Sequence, residues 1–463
     1  MFPRIWRSSL RTFVSASLFC GLPAIAQQSS GMPADPSMDH MDHSTMAQMP
    51  GMVMQPTNLI EAQLNHLSSG TTVEPASTPM YMVMGWHGPW MWMLHGEAFV
   101  TGIQQQAAQT PEGRRGGDKV FSTNWIMPMA MRRVGPGQLT LRAMFSLEPA
   151  TVTNRQYPLL FQQGETAFGK PIVDGQHPHN FFMEVAALYD IKLSEHTLLS
   201  FYAAPVGDPA IGPVAFPHRM SASENPLAAI GHHQEDSTHI AYSVLTTGLT
   251  WRWFRLEGSG FHGGEPGEGR WQFQPSENGL AMDSYSSRLT FAPHRNWNLQ
   301  YSIAHITAPE PNAHENQQRQ TASILYNHPF GLRDANGLTA GNWSTTLIWG
   351  RTNSHGRMNS YLAESLLKFS RKNYVWTRIE NAARTNQLLI PPGSPAPSHF
   401  EEEPIGHVAA FSFGYDRDFR IAKHVTAAPG AQFTTYTTPD RLRSTYGDHP
   451  WGVATFVRFR FTP

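Results

Sequence analysis

The sequence is poor in thiol, in charge and in long apolar runs, and each shortage excludes a class of protein. One cysteine among 463 residues rules out a disulfide scaffold, and with it zinc fingers and iron–sulfur sites ligated within one chain. Charged residues make up 15%, against about 25% in ordinary soluble domains. The formal charge of −1 leaves no basic footprint for nucleic acid. Downstream of the N-terminus no run of about 18 apolar residues occurs, which excludes a helical membrane protein. There is no G-x-S-x-G elbow, P-loop or dinucleotide fingerprint, and Gly258-Ser259-Gly260 lacks the elbow's setting. The chain is therefore read as a non-enzyme.

What is present begins with an export signal. Arg4, Arg7 and Arg11 precede an apolar stretch from Thr12 to Leu22, and Ala24-Ile25-Ala26 forms a small-x-small cleavage site. Residues 1–26 are expected to be a Sec-type signal peptide. Cys20 falls inside it behind Phe19, a poor lipobox residue, so the mature chain is expected to lack cysteine. Losing three arginines takes the formal charge from −1 to −4. Export leaves a periplasmic, secreted or outer-membrane protein.

Residues 27–84 are expected to form a leader, largely disordered, because Met, Ser, Pro, Asp, His and Gln cannot bury enough apolar surface to offset ordering entropy. One exception is Thr57 to Leu67, where Ile60, Leu64 and Leu67 share a helical face behind a Thr or Asn cap. That piece predicts a short helix that docks or plugs.

From residue 85 to 463 the pattern has period two. Leu139, Leu141, Ala143 and Phe145 alternate with Thr140, Arg142 and Met144; Trp297, Leu299, Tyr301 and Ile303 alternate with Asn298, Gln300 and Ser302. Trp343 to Trp349 and Val408 to Tyr415 repeat the pattern. In the last segment Val453, Thr455, Val457, Phe459 and Phe461 are expected outward, and Ala454, Phe456, Arg458 and Arg460 inward. Polar faces suit a wet lumen, and apolar faces with aromatic ends suit lipid. The expectation is an all-β, transmembrane outer-membrane antiparallel barrel of roughly 14–16 strands. A soluble sandwich or propeller is the competing fold, but no repeat of about 40 to 50 residues is present.

The chemistry is concentrated in methionine and histidine. Met38-Asp39-His40-Met41-Asp42-His43-Ser44-Thr45-Met46 continues to Met49, Met52 and Met54. Thioethers hold Cu(I) without deprotonation, imidazoles accept either copper oxidation state, and zinc or nickel needs no methionine. The leader candidates are Met38, His40, Met41, His43, Met46 and Met49, with copper as the expected cofactor. The competing reading is a low-complexity linker.

This MDHMDHSTM segment resembles the Met/His-rich leader of the bacterial copper-resistance outer-membrane protein family, the B component of the Cop and Pco systems. That resemblance covers the leader and the order of parts, and it implies copper sequestration or passage at the outer membrane. A second resemblance, to an uncharacterised exported family, rests on Pro217 to Pro226, Gly231 to His239, Phe261 to Pro266 and Asp283 to Ser286. It implies no activity.

Two further groups stand out. Met80, Met82 and Met84 alternate, as do Met91 and Met93, so each set shares one strand face. They either line a lumen entrance as soft stepping sites or simply pack against lipid or an interface, with packing favoured. Gln176-His177-Pro178-His179 and the loop carrying His232, His233 and His239 contain the remaining candidates. Backbone hydrogen bonding is the favoured role for these imidazoles, and a metal site at one barrel mouth is the functional alternative. An HxH also marks the first strand of amidohydrolases, but that fold needs alternating helices that this pattern lacks.

The functional expectation is an outer-membrane barrel of a Gram-negative cell whose periplasmic leader binds copper. Its expected partners are membrane lipid, metal ions and periplasmic metal-handling proteins. The alternative is a general or solute-specific porin with no metal role.

Overall fold

The computed structural model describes residues 55–110, 113–236, 241–273, 279–309, 315–354 and 356–463. Signal and leader candidates up to residue 54, among them Met38, His40, Met41, His43, Met46 and Met49, lie outside the described residues, as does His239.

Sixteen antiparallel strands close into a barrel. They are β1 (Trp90–Thr110), β2 (Gly113–Val134), β3 (Gly137–Phe145), β4 (Phe182–Ser194), β5 (Thr197–Gly207) and β6 (Ala241–Trp251). Next come β7 (Phe254–His262), β8 (Ser284–Phe291), β9 (Trp297–Ile306), β10 (Gln317–Arg333) and β11 (Thr339–Asn353). The circuit ends with β12 (Arg357–Phe369), β13 (Asn373–Thr385), β14 (Pro404–Arg417), β15 (Val425–Thr437) and β16 (Trp451–Phe461). Each pairs with the next, and β16 returns to β1 from Glu97↔Arg460 to Gln106↔Trp451, which leaves the sheet no open edge. No helix among the described residues is long and apolar enough to cross a membrane.

The two faces separate as the alternation demands. Leu249, Leu256, Leu289, Ile303, Ile324 and Leu347 are exposed on the outside. Trp251, Trp253, Trp297, Trp343 and Phe369 ring the end with short turns, while Tyr285 and Tyr361 stand near the other. An apolar band between aromatic girdles is what a barrel in lipid requires. In β16 the expected inward set, Ala454, Phe456, Arg458 and Arg460, is buried.

The lumen, expected to be wet, is filled. Arg255, Arg288, Arg378 and Arg458 point inward and are at most 2% exposed. Three segments cover them: an N-terminal strap (residues 55–82), the β3–β4 loop (146–181) and the β5–β6 loop from residue 208 to 236. The strap belongs to the segment expected to be largely disordered. It is ordered here because wall side chains satisfy its backbone. Arg142 donates to the carbonyls of His66, Ser68 and Gly70, Asn298 to that of Val73, and Asn327 to that of Ser77. Composition could not anticipate partners supplied by strands more than 70 residues away.

The expected helix is α1 (Leu59–Asn65), capped by Asn58, whose side chain accepts from the Glu61 N–H; the Glu61 carboxylate in turn accepts from the Thr57 N–H. Such a cap is worth about 1 kcal/mol. Leu59, Ile60 and Ala62 face the interior.

The strap carries a pH dependence. Burial pushes the Glu74 carboxyl up to about 7, against the pull of the Met220 N–H and Arg219. A carboxyl raised on folding favours docking below its unfolded pKa and withdraws that support as pH rises through the folded value. Docking should therefore weaken as pH rises from about 4.5 to about 7. Protection against hydrogen exchange across residues 66–80, after correction for the intrinsic rise of exchange with pH, should be lower at pH 8 than at pH 5 in the native protein, and this loss should be smaller in Glu74→Gln, where Asp208 beside Ser69 still titrates. Equal slopes in both proteins would refute the assignment.

Candidate metal centre

The long-loop end of the barrel brings together histidines that lie far apart in sequence. The β3–β4 loop supplies His177 and the β5–β6 loop supplies His232 and His233, with one nitrogen of each ring within 4.8 Å of the other two. Bonds of about 2.0–2.1 Å at tetrahedral angles would set these nitrogens about 3.4 Å apart, so modest ring rotations close the set. His233 also belongs to a second group with Glu165 and Glu265, the latter from the β7–β8 loop. Glu165 Oε1 lies 3.0 Å from His177 Nε2 and 4.0 Å from His233 Nε2.

Local structure explains the placement. Pro178 disfavours helical backbone at His177 and keeps this loop extended. His232 and His233 open a single helical turn (His232–Glu235) pressed against the wall. That approach depends on two glycines. A Cβ on Gly231 would strike the Ser360 hydroxyl, and one on Gly350 in β11 would strike the Gln234 carbonyl.

Hydrogen bonds orient the rings. His177 Nδ1 lies 2.9 Å from the Pro178 carbonyl and His232 Nδ1 lies 3.0 Å from that of Ala229. At His232 an Nδ1–H donated to that carbonyl places the ring's lone pair on Nε2, the usual arrangement of a metal-binding histidine; at His177 the Nε2 faces Glu165 Oε1 at 3.0 Å, a contact that a bound ion would displace. The expected backbone hydrogen bonding is thus present, and it orients a convergent set. Burial, with His233 and His177 alongside, holds His232 well below the ordinary histidine range, so it is neutral and able to ligate. Burial opposes charge on Glu165, yet His177 and Arg270 hold its carboxyl well below the usual range.

His179 is placed differently. Its Nδ1 lies 2.9 Å from Glu148 Oε1, and despite burial that carboxylate raises its pKa. The His179 ring centre is 6.5 Å from that of His177. It is a salt-bridged neighbour of the set. Glu165 escaped sequence reasoning because it belongs to no recognisable motif, and Glu265 because the stretch from Phe261 to Pro266 that contains it implies no activity.

Three imidazoles with carboxylates nearby form a nitrogen and oxygen donor set, suited to Cu(II), Zn(II) or Ni(II).

No protein-family model matches the chain, and no curated protein matches it. Among solved structures, in-vitro folded OmpT of Vibrio cholerae aligns over 81% of this chain and 99% of its own, at 7% identity and TM-score 0.44. The anion-selective porin from Comamonas acidovorans covers 80% and 100%, at 11% identity and TM-score 0.43. The high-pH structure of Pseudomonas putida OprB covers 81% and 94%, at 9% identity and TM-score 0.47.

Proposed function

We propose that this outer-membrane barrel handles copper. It is exported by the Sec route to the outer membrane of a Gram-negative cell. The leader residues Met38, His40, Met41, His43, Met46 and Met49 gather copper on the periplasmic side, in exchange with periplasmic metal-handling proteins. The barrel interior holds the ion at His177, His232 and His233, for sequestration or passage. The observation that carries this reading is the convergence of those three imidazoles from two separate loops.

A porin without a metal role is the second reading. Sixteen-stranded closure favours it, because barrels of that size leave an aqueous channel. The filled lumen opposes it. Deleting the leader through residue 79 does not separate the two readings cleanly, since residues 55–79 are part of the lumen packing.

Cu(II) titration of the full mature protein in detergent, followed by electron paramagnetic resonance, tests the proposal. The native protein should show a site with nitrogen hyperfine structure that is lost, with affinity at least about 100-fold lower, in a His177→Ala, His232→Ala, His233→Ala variant. Glu165→Gln should weaken it by about 10–100-fold, as expected for an outer-shell partner. An unchanged spectrum and stoichiometry in the triple variant would sink the assignment.

A further inference from the structure

Deeper along the same interior, the methionines collect. Met80, Met82, Met93, Met127, Met129, Met131, Met144 and Met183 form one buried cluster, with Met84 and Met91 partly buried at its margin. Strand register creates it. The short strand Val83–His87 pairs with the start of β1, and β1 pairs with β2. Met84, Met93 and Met129 therefore form one cross-strand row, Met91 lies opposite Met131, and His95 lies opposite Met127. Side chains directly opposite on paired strands sit about 4.5–5.5 Å apart at Cβ.

Two imidazoles enter this sulfur-rich region. His218 Nε2 is 3.2 Å from the Met144 sulfur, and its ring lies 4.4 Å from that of Trp125. His95 is 7% exposed, and its Nε2 has no hydrogen-bond partner among the described residues. A buried imidazole nitrogen without a partner carries a desolvation penalty that packing alone does not offset. Methionine can be mere core filler. Elsewhere in this lumen, however, the inward faces mix Ser, Thr, Arg and Glu with leucines such as Leu188, Leu198, Leu325, Leu362 and Leu366, which fill apolar space without sulfur.

The arrangement is continuous with the histidine set. One cavity is lined by Met80, His95, His218 and Met220, and the next by Met144, Met183, His218 and His232. His218 borders both, and His232 belongs to the candidate centre described above.

We propose that this chamber is a binding site for a soft monovalent d10 cation, Cu(I) in the cell, held by thioether sulfurs with His95 and His218. Neutral thioethers select such an ion over Zn(II), Ni(II) and the harder divalent cations. This deepens the copper-handling reading: a sulfur site lies between the strap and a nitrogen site at the long-loop end. The two sites differ in donor type, so each can fail independently of the other.

Ag(I) is the probe, because it has the same charge and softness and needs no reductant. The full mature protein, labelled at its methionine methyl groups, is offered Ag(I) both after folding in detergent and during refolding. Methyl resonances of Met80, Met144 and Met183, assigned by single substitution to leucine, should shift with one equivalent of silver. Combined Met80→Leu, Met144→Leu and Met183→Leu substitutions, which nearly conserve volume, should weaken that binding at least about 100-fold and leave Cu(II) at His177, His232 and His233 unchanged. The heat-dependent gel shift of a folded barrel reports whether the variant folds, and Met144→Leu alone, with at least tenfold weaker binding, serves if it does not. Silver that shifts only leader methyls, or binds the chamber variants as tightly as the native protein, overturns the proposal. Loss of Cu(II) binding with silver binding intact would instead overturn only the histidine centre.

Discussion

Replacing Arg142 with alanine should release the strap and cost the folded barrel about 3–5 kcal/mol, the usual penalty for stranding one half of a buried ion pair. The side chain is fully buried and spends all five of its donors. Nε donates to Glu184 Oε2 at 2.7 Å and Nη2 to Glu184 Oε1 at 2.8 Å. Nη1 donates to the carbonyls of His66 at 2.8 Å and Ser68 at 2.6 Å, and Nη2 also reaches that of Gly70. Removal therefore leaves three strap carbonyls and one carboxylate without their cation. Glu184 keeps the Tyr202 hydroxyl and the Gly70 N–H, which cannot balance its charge. Limited proteolysis of the folded barrel should cut within residues 66–74 in the variant and spare the native protein. Pairing Arg142→Met with Glu184→Gln should recover much of the stability, because no buried charge then remains unpaired. A strap that stays protected in Arg142→Ala would refute this account.

Loosening the β5–β6 loop should turn a closed barrel into a conducting one. The β5–β6 loop is tied to the wall by Arg219, whose Nε donates to Glu364 on β12 at 2.5 Å and whose Nη1 donates to Asp236 at 2.8 Å. Glu364 also accepts from Arg378 at 3.0 Å. Farther along the loop, Glu224 meets Arg458 at 2.6 Å and Arg460 at 2.7 Å, both on β16. Replacing Glu224 and Glu364 with alanine leaves three inward wall arginines, Arg378, Arg458 and Arg460, and the loop's own Arg219 short of carboxylate. Each site alone is worth about 3–5 kcal/mol, enough together to detach the loop while wall pairing between strands is untouched. Planar-bilayer recordings should then show stable channels with anion preference, from the uncovered arginines, where the native protein conducts at least tenfold less. Equal conductance in both would mean that the loop does not occlude the lumen.

The wall was legible in the sequence because a strand's instructions are local. Alternation in segments such as Trp297 to Ile303 and Val453 to Phe461 assigns each residue to lipid or lumen without reference to its neighbours in space, and the closed barrel has those faces. The start of α1 was legible for the same reason, since Asn58 and Glu61 cap it within one turn. Met80, Met82, Met84, Met91 and Met93 were visible as same-face sets, but period two cannot say whether the shared face meets lipid or lumen when both are apolar.

Long-range pairing decided the rest. Registers across the short strand Val83–His87, β1 and β2 joined Met84, Met91 and Met93 to Met129 and Met131, and packing of the strap and β3 added Met80, Met82, Met127 and Met144. Two loops entering the lumen from one end brought His177 to His232 and His233, while Glu148 claimed His179. The strap looked too polar to fold. It became ordered because Arg142, Asn298 and Asn327 supply the partners its backbone lacks. The sequence by itself determined a membrane wall and a supply of soft ligands. Only the tertiary structure decided that the wall encloses a packed interior and that ligands distant in the chain share it, because register and loop entry are properties of strands together.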